Sequence, residues 1–154
     1  HFKIHSPVII DELLSEWDYI VQPCHQTIDL FNKITVSQNI KIALLSNIGL
    51  EHSKTIGVKL GYLYDNSIKY FSCDVGARKP HSLYYQSFLL EFPEFKGAAY
   101  VDDLQENLEA SKKFGFQTFK FDISMYFDQP LEQREAAAIS FENKMTEMEE
   151  FIIG

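Results

Sequence analysis

The apolar positions of this chain fall into short unbroken runs separated by stretches with helical spacing. Residues 40–45 (IKIALL) are interrupted only by Lys41 and predict a buried strand, which ends at Ser46-Asn47 with Gly49 close behind. Residues 98–101 (AAYV) predict a second strand, halted by the adjacent carboxylates Asp102 and Asp103. Shorter strands are expected at 70–73 and 117–121. Helical faces lie between them: 24–34 through Ile28, Phe31 and Ile34; 53–60, ended by Gly61; and a segment opened by Pro80 that carries Leu83, Tyr84, Phe88 and Leu90. After Asp103, Leu104, Leu108 and Ser111 share one helical face and Gly115 supplies a stop. Residues 131–148 predict a last helix, with Ile139, Met145 and Met148 for packing and Glu147, Glu149 and Glu150 as a solvated face. Ahead of all these, residues 8–10 read as a short strand or a helix entry, and 11–19 as a helix with an acidic first turn.

Alternating strands and helices predict an α/β fold, a doubly wound, mostly parallel sheet flanked by helices. Residues 1–34 read as an N-terminal helical region and 35–154 as the α/β core, effectively one domain. With 154 residues, 45% apolar and 23% charged, the chain has the composition of a soluble globular protein with one sizeable core. A net charge of −8 argues against nucleic acid or an anionic membrane surface as partner. No apolar run approaches the ~20 residues that span a bilayer, and the first residues lack a leader pattern. Cys24 and Cys73 do not form a metal-type spacing and read as small core hydrophobes in a reduced, cytoplasmic setting.

An acidic chain that binds an anionic substrate needs a local cation, and three features supply the parts. Ser46 ends a strand, where its hydroxyl and nearby backbone N–H groups suit an anionic oxygen. Lys79 is a point cation in the loop before Pro80 and a helix N-terminus. Asp102 and Asp103 stand at the carboxyl end of a strand, where open α/β sheets bind ligands, and two neighbouring carboxylates suit magnesium. The blander reading of the acid pair is a strand end and a helix cap.

Residues 43–47 (ALLSN), 75–85 (VGARKPHSLYY) and 100–116 (YVDDLQENLEASKKFGF) resemble, in order, the second, third and fourth motifs of the haloacid dehalogenase-like (HAD) superfamily. The spacings agree with that resemblance: 33 positions separate Ser46 from Lys79, and 23 separate Lys79 from Asp102. The resemblance implies a HAD-type, Rossmann-like fold and a Mg2+-dependent phosphohydrolase site for a small phosphorylated metabolite. In that family an aspartate attacks the phosphate ester. By motif match, Ser46 and the backbone at Asn47 would bind the phosphoryl group, and Lys79 would neutralise charge on it. Asp102 would hold magnesium, with Asp103 as second ligand or orienting residue, supported by Asn107.

The family's first motif, Asp-x-Asp after an apolar strand, occurs nowhere in the sequence. Asp11 follows the apolar residues 8–10, but Leu13 stands where the second Asp would be; Asp11 reads first as an acidic helix start and second as the nucleophile. The expectation is therefore either an incomplete hydrolase or a catalytically silent relative that serves as a binding or regulatory module. A phospho-accepting receiver domain uses similar groups, but its acidic pair should precede the hydroxyl and the lysine, and here it comes last.

Overall fold

The structure, a computed structural model, describes residues 23–127 and 129–154. Its contacts divide the chain into two compact units, His1–Asp74 and Val75–Gly154. In the first, α1 (His25–Gln38) buries Leu30 and Ile34, one helical turn apart, and ends where Asn39 turns left-handed at φ 53°. Strand β1 (Ile42–Ser46) pairs in parallel with β2 (Ser67–Phe71), Ile42 opposite Ser67 and Ser46 opposite Phe71. A parallel pair requires a crossover; α2 (Leu50–Leu60) and the single turn α3 (Tyr62–Asp65) supply it, with Gly61 at φ 52° between them. The hydroxyl of Ser72 accepts from Ile48 N at 3.0 Å and donates to Ile48 O at 3.2 Å, which ties the segment after β1 to the end of β2.

Both strands of this unit are displaced from the sequence expectation. Strand β1 starts at Ile42 rather than residue 40, because the helix exit at Asn39 uses the first positions of the run, and it includes Ser46. Strand β2 runs over 67–71 rather than 70–73, and Ser72 and Cys73 enter a helical turn, α4 (Ser72–Val75). Cys73 is exposed there instead of serving as a core hydrophobe, and Cys24 is half-buried; both are free thiols.

The second unit opens through a loop into α5 (Ser82–Glu91). Pro80 lies outside this helix: its peptide bond to Lys79 is cis, and His81 caps the helix by accepting from Leu83 N at its Nδ1, 3.3 Å away. The helix turns Tyr84, Tyr85 and Phe88 into the core and leaves Leu83 and Leu90 exposed. Strand β3 (Ala99–Asp102) pairs in parallel with β4 (Gln117–Lys120) through the crossover helix α6 (Gln105–Lys112) and a turn at Gly115, φ 91°. A short turn α7 (Ser124–Phe127) leads to α8 (Arg134–Ile153), which buries Phe141, Met145 and Met148; Ile139, an expected packing residue, is exposed.

The core of this unit is aromatic. Tyr85 stacks on Phe114 at 5.8 Å and meets Tyr84 and Tyr100 edge-on at 5.7 and 6.1 Å, while Phe88 contacts Phe95 and Phe116. Such pairs add about 0.5–1.5 kcal/mol each beyond the area they bury, and they fix the root of β3 against α5. The fold is mixed α/β, with strands paired in parallel and joined by helices. Among the described residues the strands form two two-stranded sheets, where the sequence predicted one continuous sheet. The apolar residues 8–10 lie outside the described residues. No described helix is long and apolar enough to cross a membrane.

Candidate functional site

Side chains along a strand alternate in direction, so Tyr100 and Asp102 leave β3 on the same side. Both are buried, at 7% and 8% exposure, whereas Asp103 is exposed. A carboxylate taken out of water requires compensation from charge and hydrogen bonds, and Asp102 finds four donors. Its Oδ2 accepts from Lys79 Nζ and from the Tyr100 hydroxyl, each at 2.7 Å. Its Oδ1 accepts from Asn107 Nδ2 and from Leu104 N, each at 2.9 Å.

Local sequence explains the two bonds to Oδ1. An Asp side chain that accepts from the backbone two residues on forms the turn that feeds a helix, and here it leads into α6 at Leu104. Asn107 follows within the first turn of α6, close enough to reach back to the strand end. Its amide orientation is set by the acid, since the reversed amide would turn its oxygen against Oδ1. Asn107 Oδ1 is buried and accepts no hydrogen bond among the described residues. Asn107 also offers its backbone carbonyl to the Tyr85 hydroxyl at 3.0 Å, which links the site to the aromatic core. The capping role considered for Asp103 is not formed: the N-cap of α6 is Leu104, without a side-chain cap bond, and Asp102 accepts from Leu104 N just ahead of the helix.

Lys79 arrives from the loop before α5 and is itself 9% exposed, so the Lys79–Asp102 ion pair is buried on both sides. Desolvation pushes the Asp102 carboxyl up, but the Lys79 ammonium and the bonds from Lys79, Asn107 and Tyr100 outweigh it and hold the group below the usual carboxylate value. Asp103 shifts the other way: desolvation and the charge on Asp102 raise it. Burial, with Asp102 nearby, raises both tyrosines, Tyr85 to about 12 and Tyr100 well beyond the ordinary phenol range, so both hydroxyls remain donors.

Two oxygens of a carboxylate offer about four acceptor positions, and those of Asp102 are taken. Of the two acids, the carboxylate exposed to solvent is that of Asp103. Among the described residues no three His, Cys, Asp or Glu side chains are grouped so as to hold a metal ion.

Of the residues singled out by sequence, Lys79, Asp102 and Asn107 come together, with Asp103 adjoining. Ser46 is the last residue of β1, half-buried, and is followed by the exposed Asn47; both belong to the first unit. Asp11 lies outside the described residues. Tyr85 and Tyr100 join the site although they are not among the residues singled out by sequence. The signal for Tyr100 was its place two residues before Asp102 on a strand.

No known protein-family model matches this chain. No curated protein matches it either. Among solved structures, the crystal structure of an uncharacterized protein from Corynebacterium glutamicum ATCC 13032 Kitasato is similar, with a TM-score of 0.51 and 15% identity over 81% of this chain and 86% of the other. At that identity the likeness is one of fold alone.

Proposed function

We propose that this chain carries the lysine–acid half of a HAD-type phosphate site on a doubly wound α/β fold, and that its ligand is a small phosphorylated metabolite. The observation that carries this reading is the buried Lys79–Asp102 pair at the carboxyl end of β3, braced by Asn107 from the next helix. A cation held at a strand end suits a phosphoryl group, and electrostatic positioning is most of phosphoryl-transfer catalysis. In this reading Lys79 neutralises charge on the phosphoryl oxygens and Asp102 orients Lys79. Magnesium, through Asp103, would supply further charge neutralisation.

The sequence holds no Asp-x-Asp, and this favours a second reading, a silent HAD-like binding or regulatory module that recognises the same ligands without turnover. One experiment separates the two. Phosphate release from p-nitrophenyl phosphate is followed with and without magnesium for the chain and its Lys79→Ala variant, beside vanadate binding by calorimetry. Turnover that needs Lys79 supports the hydrolase; vanadate binding that needs Lys79 without turnover supports the module. Vanadate affinity unchanged by Lys79→Ala, with no turnover, refutes both.

A further inference from the structure

Three hydrogen bonds meet at His81, the residue that joins the loop carrying Lys79 to α5. Its backbone N donates to Arg78 O at 2.9 Å, its backbone O accepts from Tyr84 N at 3.0 Å, and its Nδ1 accepts from Leu83 N at 3.3 Å. The third bond caps the helix, whose first amides have no carbonyl of their own to meet. Aspartate, asparagine or serine usually fills this place with an oxygen. Here the acceptor is a titratable nitrogen. Accepting at Nδ1 requires the neutral ring, with its proton on Nε2. A second proton occupies the accepting lone pair, sets one N–H against another, and brings positive charge to the end of the helix that is already positive. Arg78 and Lys79, the charged groups just ahead of the ring, are cations as well.

We propose that His81 is a proton-operated cap on α5: neutral, it closes the first turn of the helix and fixes the loop that carries Lys79; protonated, it releases that turn. The proposal stands on this turn alone and does not require the phosphate reading. The ring is exposed, so a proton reaches it from solvent, and among the described residues it makes no ion pair and no other hydrogen bond. The elements in contact with α5 bring charges of both signs. Glu94 stands on the turn Pro93–Phe95 at the far end of the helix; Glu106, Glu109 and Lys112 stand on α6, where Glu109 is held by Gln105 and Lys112. Lys113 precedes Phe114, which stacks on Tyr85, and Asp102 and Asp103 precede α6, with Asp102 taken by its four donors. Tyr84 and Tyr85 are fully buried, so the release is confined to the residues ahead of them.

The test is amide hydrogen exchange by NMR on the full chain at pH 8 and pH 5, the range over which imidazoles change charge. Exchange is read as protection factors, which removes its intrinsic pH dependence, and the His81 Cε1 proton reports the ring's own titration. His81→Asn keeps a capping oxygen that does not titrate, and His81→Ala has no cap at either pH. In the unaltered chain, protection of the Leu83 amide should fall about 3- to 10-fold from pH 8 to pH 5, in step with the ring, while Phe88 deeper in the helix keeps its protection. In His81→Asn the protection of Leu83 should hold at both pH values, and in His81→Ala it should be low at both. A ring that stays neutral at pH 5, or Leu83 protection that is unchanged while the ring titrates, overturns the proposal. An equal fall in His81→Asn overturns it too, since another group would then be the cause. So does a parallel fall at Phe88, because acid would then act on the whole unit. Should either variant fail to fold, the Leu83, Phe88 and ring signals of the unaltered chain decide.

Discussion

Replacing Lys79 by Met removes the ammonium and keeps most of the stem, so the change isolates the ion pair. Asp102 is then left buried with the Tyr100 hydroxyl, Asn107 Nδ2 and Leu104 N. Removing one partner of a buried pair costs about 3–5 kcal/mol, and the three retained bonds put the expected loss near about 3 kcal/mol at pH 7. That is a large share of the roughly 5–15 kcal/mol that holds a domain together. The pH dependence carries the sharper test. In the unaltered protein the Asp102 carboxyl lies below its unfolded value of 3.8, so its stabilising contribution is complete above that value and is lost as pH falls through the lower folded one. In Lys79→Met the main lowering influence is gone, desolvation prevails, and the carboxyl moves above 3.8. Its penalty is then full at neutral pH and shrinks as pH falls through the raised value. Urea denaturation followed by far-UV circular dichroism at pH 7, 5 and 4 should show the deficit narrowing with acid. Lys79→Met with Asp102→Leu, which leaves neither charge, should recover most of the loss. A deficit under about 1 kcal/mol and equal at all three pH values would mean that water, not Lys79, satisfies this acid.

Three further outcomes are expected. Asn107→Ala removes a donor to a charged acceptor and should lower stability by about 2 kcal/mol; Asn107→Asp should cost more at pH 7 and recover in acid, and equal, pH-independent losses would refute the assigned contact. Because the folded state raises the Asp103 carboxyl, its charged form opposes folding at neutral pH; Asp103→Asn should raise the melting temperature at pH 7, the gain fading as pH falls toward 3.8, and an unchanged melting temperature at pH 7 would contradict it. Tyr85 ionises near 12 in the folded chain and 10.0 unfolded, so stability should decline as pH rises past 10. Urea midpoints between pH 9 and 11 should decline less steeply in Tyr85→Phe, and parallel declines in the two proteins would remove Tyr85 as the cause.

How far the sequence reaches can be judged at Asp102 and Asp103. Both acids and Lys79 were legible because a strand end, a helix start and a lysine before another helix are local patterns, whereas Asn107 entered only through the family resemblance. The burial of Asp102 was not read, although a period of two points to it: Tyr100 is an aromatic residue of a buried strand and Asp102 shares its side, while Asp103 lies just past the strand end and is exposed. Read this way, the buried acid is the one that must be paired and the outward acid is the one left for a ligand. The burial pattern of α5 has the same root. Leu83 and Leu90 are as apolar as their neighbours, but a helix buries one stripe, and the aromatic side Tyr84–Tyr85–Phe88 has the larger surface to withdraw from water. Strand pairing is the least legible part, since β1 with β2 and β3 with β4 are matched over long separations that no local periodicity encodes. The site escapes that limit in part. Except for Lys79, everything that grips Asp102 comes from residues 100–107, so one strand, one turn and the start of one helix assemble three of its four bonds. Only the lysine must be brought from a distance, and it is the cation that the phosphate reading requires.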